Sequence, residues 1–242
     1  MNTHDALELI RESVTRPGGA WADLGAGDGM FTRALIGLLG PTGRVYAVDR
    51  DARAIAELER WATAEGARVV PVVADFTRPD LPGFEGSMLD GMLFANSLHF
   101  VRDAEIVLAR LAAWLKPGGR VVWVEYDRAS ASRWVPYPIP AARLPALAAA
   151  AGLSTPVITG TRPSAFGGNL YAAEARRPAG GTRSTSGDRH RWRGRPHDEP
   201  GVARSRSRGR ASRSPRASVV RPADRGGPTP PQRTPPSDRS AI

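Results

Sequence analysis

The chain has 242 residues, 41% of them hydrophobic and none of them cysteine. That gives room for one good-sized domain and excludes a disulfide framework, a thiolate metal site and a cysteine nucleophile. The net charge of +10 sits at one end: residues 1–175 hold 17 Lys+Arg against 19 Asp+Glu, and residues 176–242 hold 17 Arg against 5 acids.

No apolar run approaches the ~18 residues that span a bilayer, and the N-terminus lacks a signal-peptide pattern, so a soluble, cytoplasmic protein without a membrane partner is expected. Asp5 to Val14 reads as an amphipathic helix with Ala6, Leu9, Ile10 and Ser13 on one side, ended by Pro17-Gly18-Gly19. A short apolar strand follows and runs into the glycine-rich stretch Asp23-Leu24-Gly25-Ala26-Gly27-Asp28-Gly29. Beyond it Phe31, Ala34, Leu35 and Leu38 fall on one helical face. A turn at 40–43 leads to a second strand, Arg44 to Asp49, and Arg53 to Gly66 is helical with Ile55, Leu58 and Ala62 inward. Arg68 to Val73 is a third strand, and Leu89 to Phe94, after a Pro- and Gly-rich loop, is the fourth. Asp103 is placed to cap a helix with Ala104, Leu108, Leu111 and Leu115 on its inner face, and Lys116-Pro117-Gly118-Gly119 to stop it before a fifth strand, Arg120 to Tyr126. A short helix, Leu144 to Ala151, precedes two runs, Thr155 to Gly160 and Gly168 to Ala175, that read as an antiparallel pair.

Short apolar strands alternating with helices of about a dozen residues predict an α/β domain, its parallel sheet covered on both faces. The glycines have a mechanical purpose, since without Cβ atoms the turn can take positive φ and the backbone can approach a ligand. The amides at the following helix N-terminus then favour an anionic group. The spacing Gly-x-Gly-x-Gly differs from the Gly-x-Gly-x-x-Gly of dinucleotide sites. With Asp23 before it, this run resembles the first motif of class I S-adenosylmethionine-dependent methyltransferases. The resemblance covers residues 20–126 well and 140–176 loosely. It implies a Rossmann-like, seven-stranded, mostly parallel sheet whose last strand is antiparallel, over residues 1–176.

The same resemblance implies the cofactor, S-adenosyl-L-methionine, and its contacts at successive strand ends. Asp49, with Arg50 after it, would accept from the ribose hydroxyls. Asp75 would accept from the adenine amino group, and Phe76 would supply an amide and an aromatic neighbour. Asn96, in Phe94-Ala95-Asn96-Ser97-Leu98-His99-Phe100, would face the methionine portion. Asp23 and the amides of Gly25, Ala26 and Gly27 would hold its amino and carboxylate ends. Methyl transfer from a sulfonium is an in-line displacement in which the protein positions a nucleophile and excludes water.

His99 is the base candidate, with Glu125, Tyr126 and Asp127 as alternatives. Trp134-Val135-Pro136-Tyr137-Pro138 reads as a lid or a substrate wall. No His/Asp/Glu cluster has metal-ligand spacing, so a metal-independent enzyme acting on a small-molecule acceptor is expected. A short-chain dehydrogenase is excluded because position 112, four before Lys116, is Ala rather than Tyr, and an Asn-Pro-Pro-Tyr adenine N6 signature is missing after the fourth strand.

Residues 177–242, rich in Arg, Ser, Pro and Gly, are expected to be a disordered tail. Arg204-Ser205-Arg206-Ser207-Arg208 looks like an RNA-binding segment, and non-specific nucleic-acid binding through it, by a non-catalytic S-adenosylmethionine-binding protein, is the rival reading. The stronger one is a coding accident: an Arg-rich chain with a single Lys points to GC-rich DNA, and an off-frame reading of such DNA yields this composition. The near-neutral domain argues against a nucleic-acid substrate.

Overall fold

A computed structural model describes residues 1–79, 81, 88–165 and 167–179. The Arg/Ser run and nearly all of the expected tail lie outside these residues.

The elements in chain order are α1 (Thr3–Ile10), a 3-10 turn at Arg11–Ser13, β1 (Gly19–Leu24), α2 (Met30–Leu39), β2 (Gly43–Asp49), α3 (Ala52–Glu65), β3 (Val69–Val73) and β4 (Leu89–Ala95). There follow a 3-10 turn at Leu98–Phe100, α4 (Ala104–Ala112), β5 (Leu115–Tyr126), a 3-10 turn at Ala141–Arg143, α5 (Leu144–Ala150), β6 (Val157–Pro163) and β7 (Asn169–Arg176). One seven-stranded sheet runs in the order β3-β2-β1-β4-β5-β7-β6. Its first five strands are parallel, and β7 lies antiparallel between β5 and β6. The chain winds outward from β1 in one direction and then from β4 in the other, so a crevice opens between them at their carboxyl ends.

Side chains alternate across the sheet because successive Cβ atoms of a strand point to opposite faces. Ala22, Leu24, Met92, Phe94, Val121 and Trp123 pack with α4 and α5 on one face. Trp21, Val45, Leu93, Val122 and Val124 pack with α1 and α2 on the other. Ala47 joins Ile55 and Leu58 of α3. The polar Ser13 is buried with α1's apolar residues and shares a hydrogen bond with Thr159 of β6 (2.6 Å).

Four local expectations need correction. Helix α1 starts two residues early because Asn2 and Asp5 form a reciprocal cap, and it tightens into a 3-10 turn before Val14. In α2 the buried member of the last turn is Leu39, not Leu38. Asp103 precedes α4, but its side chain makes no cap hydrogen bond. Lys116-Pro117-Gly118-Gly119 does not stop a helix: α4 ends at Ala112, and Leu115 through Tyr126 is one long strand. The Gly118 amide donates to the Arg177 carbonyl, and the Arg177 amide to the Gly119 carbonyl, so β-pairing outweighs the local turn preference. Arg177 is therefore tied to the sheet, one residue past the expected boundary.

Leu35 is fully buried under the sheet, whereas Ile106 on α4 is 72% exposed. Leu35→Ala is expected to destabilise the fold by about 2–5 kcal/mol through transfer and cavity terms, and Ile106→Ala by less than about 0.5 kcal/mol. Urea unfolding of both variants checks the contrast.

Candidate functional site

The glycine stretch leaves β1 through one carbonyl. The amides of Gly25 and Ala26 both donate to the Val48 carbonyl of β2, at 2.8 and 3.0 Å. Gly25 takes φ +85°, and a Cβ there would lie 2.5 Å from the Cβ of Ser97. Ser97 in turn donates its hydroxyl to the Leu24 carbonyl (2.6 Å), locking the turn after β4 against the end of β1. Gly27 (φ +53°) has nothing within 4 Å of where its Cβ would stand, so the loop's surface is open there.

These turns wall a cavity of about 570 Å³ at the carboxyl ends of the strands. Eight of the nine residues expected at a cofactor line it: Gly25, Ala26, Gly27, Asp49, Arg50, Asp75, Phe76 and Asn96. Asp49 accepts the Gly27 amide (2.8 Å) on Oδ2 and the Asp51 amide (2.9 Å) on Oδ1, so it braces the loop as well as facing the cavity. Asp75 Oδ1 accepts the Thr77 amide and hydroxyl, at 2.9 and 2.6 Å. Burial works against its ionisation, but the Thr77 bonds, with Arg78 and Arg50 nearby, hold its carboxyl below the usual value. Phe76 packs edge-on against Phe94 (5.9 Å between ring centroids), and its carbonyl accepts Arg110 Nη2 (2.6 Å). Asn96 adopts a left-handed backbone (φ +54°). Its Oδ1 is buried without a hydrogen-bond partner among the described residues.

Asp23 is the exception. It shares β1's Trp21 face, is fully buried, and does not line the cavity. Thr32 of α2 donates its hydroxyl to Oδ2 (2.6 Å), while Oδ1 has no partner among the described residues. Burial, with Asp49 and Asp28 adding repulsion, pushes the carboxyl up to about 7 in spite of the Thr32 bond.

His99 does not line the cavity either, although Ser97, Phe100 and Val101 around it do. It is 2% exposed, and its Nδ1 lies 2.5 Å from Oε2 of Glu125, which is fully buried at the end of β5. The His99 amide also donates to Oε1 (3.3 Å). Desolvation raises the Glu125 carboxyl, opposed by its bonds to His99. His99 and Glu125, read from the sequence as alternatives, therefore form one unit. The rings of Phe100 and Tyr126 stand 4.4 and 6.1 Å from the imidazole. Asp127 accepts the Ala141 amide (3.0 Å) and so closes the following loop.

That loop is pinned to the domain, and none of its residues lines the cavity. Its Tyr137 amide donates to the His99 carbonyl (3.0 Å), Val135 and Ile139 are buried, and the Tyr171 hydroxyl donates to the Ile139 carbonyl (2.6 Å). Trp134 remains 73% exposed, with Arg133 over its ring. Sequence reasoning missed Ser97, Thr32, Thr77 and Arg110. Only Thr77, two residues after a strand-end acid, carried a local signal, as the short-range turn partner that Asp favours.

The cavity's polar atoms suit an adenosyl amino acid. Two carboxylates can take hydroxyl and amino donors, the buried Asn96 oxygen lacks a donor, and the Gly27 backbone is open to close approach.

A family described as methyltransferase domain matches residues 22–119. Among curated proteins the chain is similar to the ubiquinone/menaquinone biosynthesis C-methyltransferase UbiE of Burkholderia mallei (strain SAVP1), 29% identical over 119 residues that make up 49% of this chain and 48% of that protein. The chain thus spans about half the length of the curated relatives it matches. Among solved structures it is similar to the 1,6-didemethyltoxoflavin-N1-methyltransferase of Burkholderia thailandensis, bound to 1,6-didemethyltoxoflavin and S-adenosylhomocysteine. That likeness has a TM-score of 0.59 and 26% identity, covering 73% of this chain and 78% of that one. It shares its fold with CrArsM, an arsenic(III) S-adenosylmethionine methyltransferase from Chlamydomonas reinhardtii (TM-score 0.57, 18% identity, 73% of each chain).

Two outcomes are expected of the site. Gly25→Ala meets Ser97 and forces Ala to positive φ, which costs about 1–2 kcal/mol in the backbone alone. Its folded fraction at a given urea concentration and its affinity for S-adenosylhomocysteine should both fall, while Ser97→Gly in the same chain should restore part of the loss. Asp23's folded value of about 7 lies above the 3.8 of an unhindered carboxyl. The folded chain therefore keeps a proton that the unfolded chain loses across that interval, and this group's contribution to stability falls as pH rises from about 4 to about 7. Asp23→Asn should flatten that slope in denaturant titrations run at several pH values.

Proposed function

Because the chain belongs to the class I S-adenosylmethionine-dependent methyltransferases, we propose that it transfers a methyl group to a small-molecule acceptor. The observation that carries this is the cavity itself, where the glycine turn, Asp49, Asp75 and the Asn96 oxygen, without a partner among the described residues, meet at the switch between β1 and β4. Asp49 and Asp75 would hold the ribose and adenine ends, and Gly25, Ala26, Gly27 and Asn96 the methionine end. Asp23, beneath the loop, would act on it through Thr32 rather than by contact. When bound, the cofactor supplies an electrophilic methyl on a sulfonium.

The chain's own part is to hold the acceptor and take its proton. With His99 Nδ1 held by Glu125 (2.5 Å), Nε2 is the ring nitrogen that would take the acceptor's proton, from a buried imidazole one residue away from the cavity-lining Phe100. Phe100, which lines the cavity, places an aromatic ring beside the imidazole, which suits a planar acceptor with an O–H or N–H to lose. The two relatives above, one bound to 1,6-didemethyltoxoflavin and one a C-methyltransferase of ubiquinone/menaquinone biosynthesis, set the first acceptors to screen. The near-neutral charge of residues 1–175 favours small molecules over nucleic acid, and the lack of cysteine suits a cytoplasmic setting. No described helix is long and apolar enough to cross a membrane.

Calorimetric titration with S-adenosylmethionine, S-adenosylhomocysteine and NAD tests the reading. Binding of the two sulfur ligands and not of NAD is expected, with Asp49→Ala weakening them by about 1–3 kcal/mol. Binding of NAD alone, or of none of the three, would overturn it. With an acceptor in hand, His99→Ala should lower turnover at unchanged cofactor affinity.

A further inference from the structure

The sheet has a second cavity, at the opposite end. It encloses about 450 Å³ and is lined by residues at the amino ends of parallel strands, among them Gly19 of β1 and Asp90 of β4, and by Arg120 within β5. Since β1 runs six residues from there to Leu24, the two cavities stand about 20 Å apart across the sheet.

Its charge is out of keeping with the rest of the domain. Arg16, Lys116, Arg120 and Arg176 converge on it in a region whose acids outnumber its bases. Against these four cations stand Asp90 in the wall and Glu174 beside it, a formal excess of 4 − 2 = +2. Lys116 holds Asp90 (2.8 Å), and Arg120 and Arg176 share Glu174 (3.0 and 3.2 Å). Arg16 makes no ion pair with a described residue.

Arg120 is only 7% exposed and is held by the Ser13 carbonyl (2.7 Å), the Thr15 hydroxyl (2.8 Å) and Glu174. Burial pushes its guanidinium below the usual value, and Arg176 and Arg16 push it further, against the pull of Glu174. Like charges gathered around a desolvated guanidinium in a concavity are destabilising unless an anion joins them. Arginine's planar fork matches phosphoryl oxygens, and the volume exceeds a bare ion.

From this excess charge around a buried arginine we infer that the amino-end cavity binds a phosphoryl-bearing small molecule, away from the methyl-transfer site. The ligand carries at least two negative charges, which the four cations meet with charge-assisted hydrogen bonds, and its remaining bulk lies along Trp21, Pro17 and Pro117.

Trp21 lines the cavity and serves as a reporter. The full chain, labelled with 5-fluorotryptophan and with the Trp21 signal assigned by Trp21→Phe, is titrated separately with inorganic phosphate, pyrophosphate and AMP, and with sulfate as control. Saturable movement of the Trp21 signal is expected with pyrophosphate or AMP, the better of the two telling a free phosphoryl anion from an organic phosphate. Arg16→Ala, at an exposed position with no ion-pair partner among the described residues, should weaken that ligand at least about tenfold. Arg16→Glu should weaken it further, with S-adenosylhomocysteine affinity unchanged in both. No movement of Trp21 with any probe, equal movement with sulfate, or affinity indifferent to Arg16→Glu would overturn the assignment; the last would place polyanion binding elsewhere in this Arg-rich chain.

Discussion

One carbonyl oxygen governs the site. Val48, near the end of β2, takes the amides of both Gly25 and Ala26, and this shared acceptor turns the chain out of β1 instead of letting the strand continue. Ser97 fills the space that a Cβ at Gly25 would need and binds the last carbonyl of β1, so the turns after β1 and β4 are built against each other. Asp49, one residue past Val48, then accepts from Gly27. Strand β2 thus holds the glycine turn at two points, and the open Gly27 backbone faces the cavity because everything around it is fixed.

The second organising constraint is the sheet's alternation of faces. It sends Leu24 and Phe94 toward α4 and α5, and it sends Asp23 under α2, where the Thr32 hydroxyl meets it. A carboxyl so placed is costly to ionise, and its neutral form is favoured at the pH where surface acids are charged. Alternation also puts Glu125 inside the sheet, where its partner is a histidine from the neighbouring strand's turn. The two acids of the motif-rich strands that look most alike in the sequence, Asp23 and Asp49, therefore have opposite surroundings.

Much of this was legible in the sequence because it depended on local pattern. Helix faces such as Ile55, Leu58 and Ala62 repeat at 3.6-residue spacing, and a parallel α/β order puts strand-end residues such as Asp49, Asp75 and Asn96 at one end of the sheet. What was not legible depended on partners distant in sequence. Gly118 and Gly119 look like a stop until Arg177 returns beside them. His99 and Glu125 look like rivals because nothing local says that 26 residues close to 2.5 Å. Arg110 reaches back from α4 to the Phe76 carbonyl, and no spacing rule would have connected them. The sequence likewise spread Arg16, Lys116, Arg120 and Arg176 over 160 positions, so their convergence was invisible in the charge balance of the domain.

Asn96 has to meet two demands at once. Its backbone sits in the left-handed region, which β-branched and bulky residues avoid, and its amide donates to Val124 across the sheet. Glycine would satisfy the backbone but remove the buried side-chain oxygen, while leucine or valine would satisfy neither demand. Aspartate would keep the shape but bring a charge into a wall that already holds Asp49 and Asp75. Asparagine meets both demands, and a chain that has lost it here has changed what it can hold before it has changed its fold.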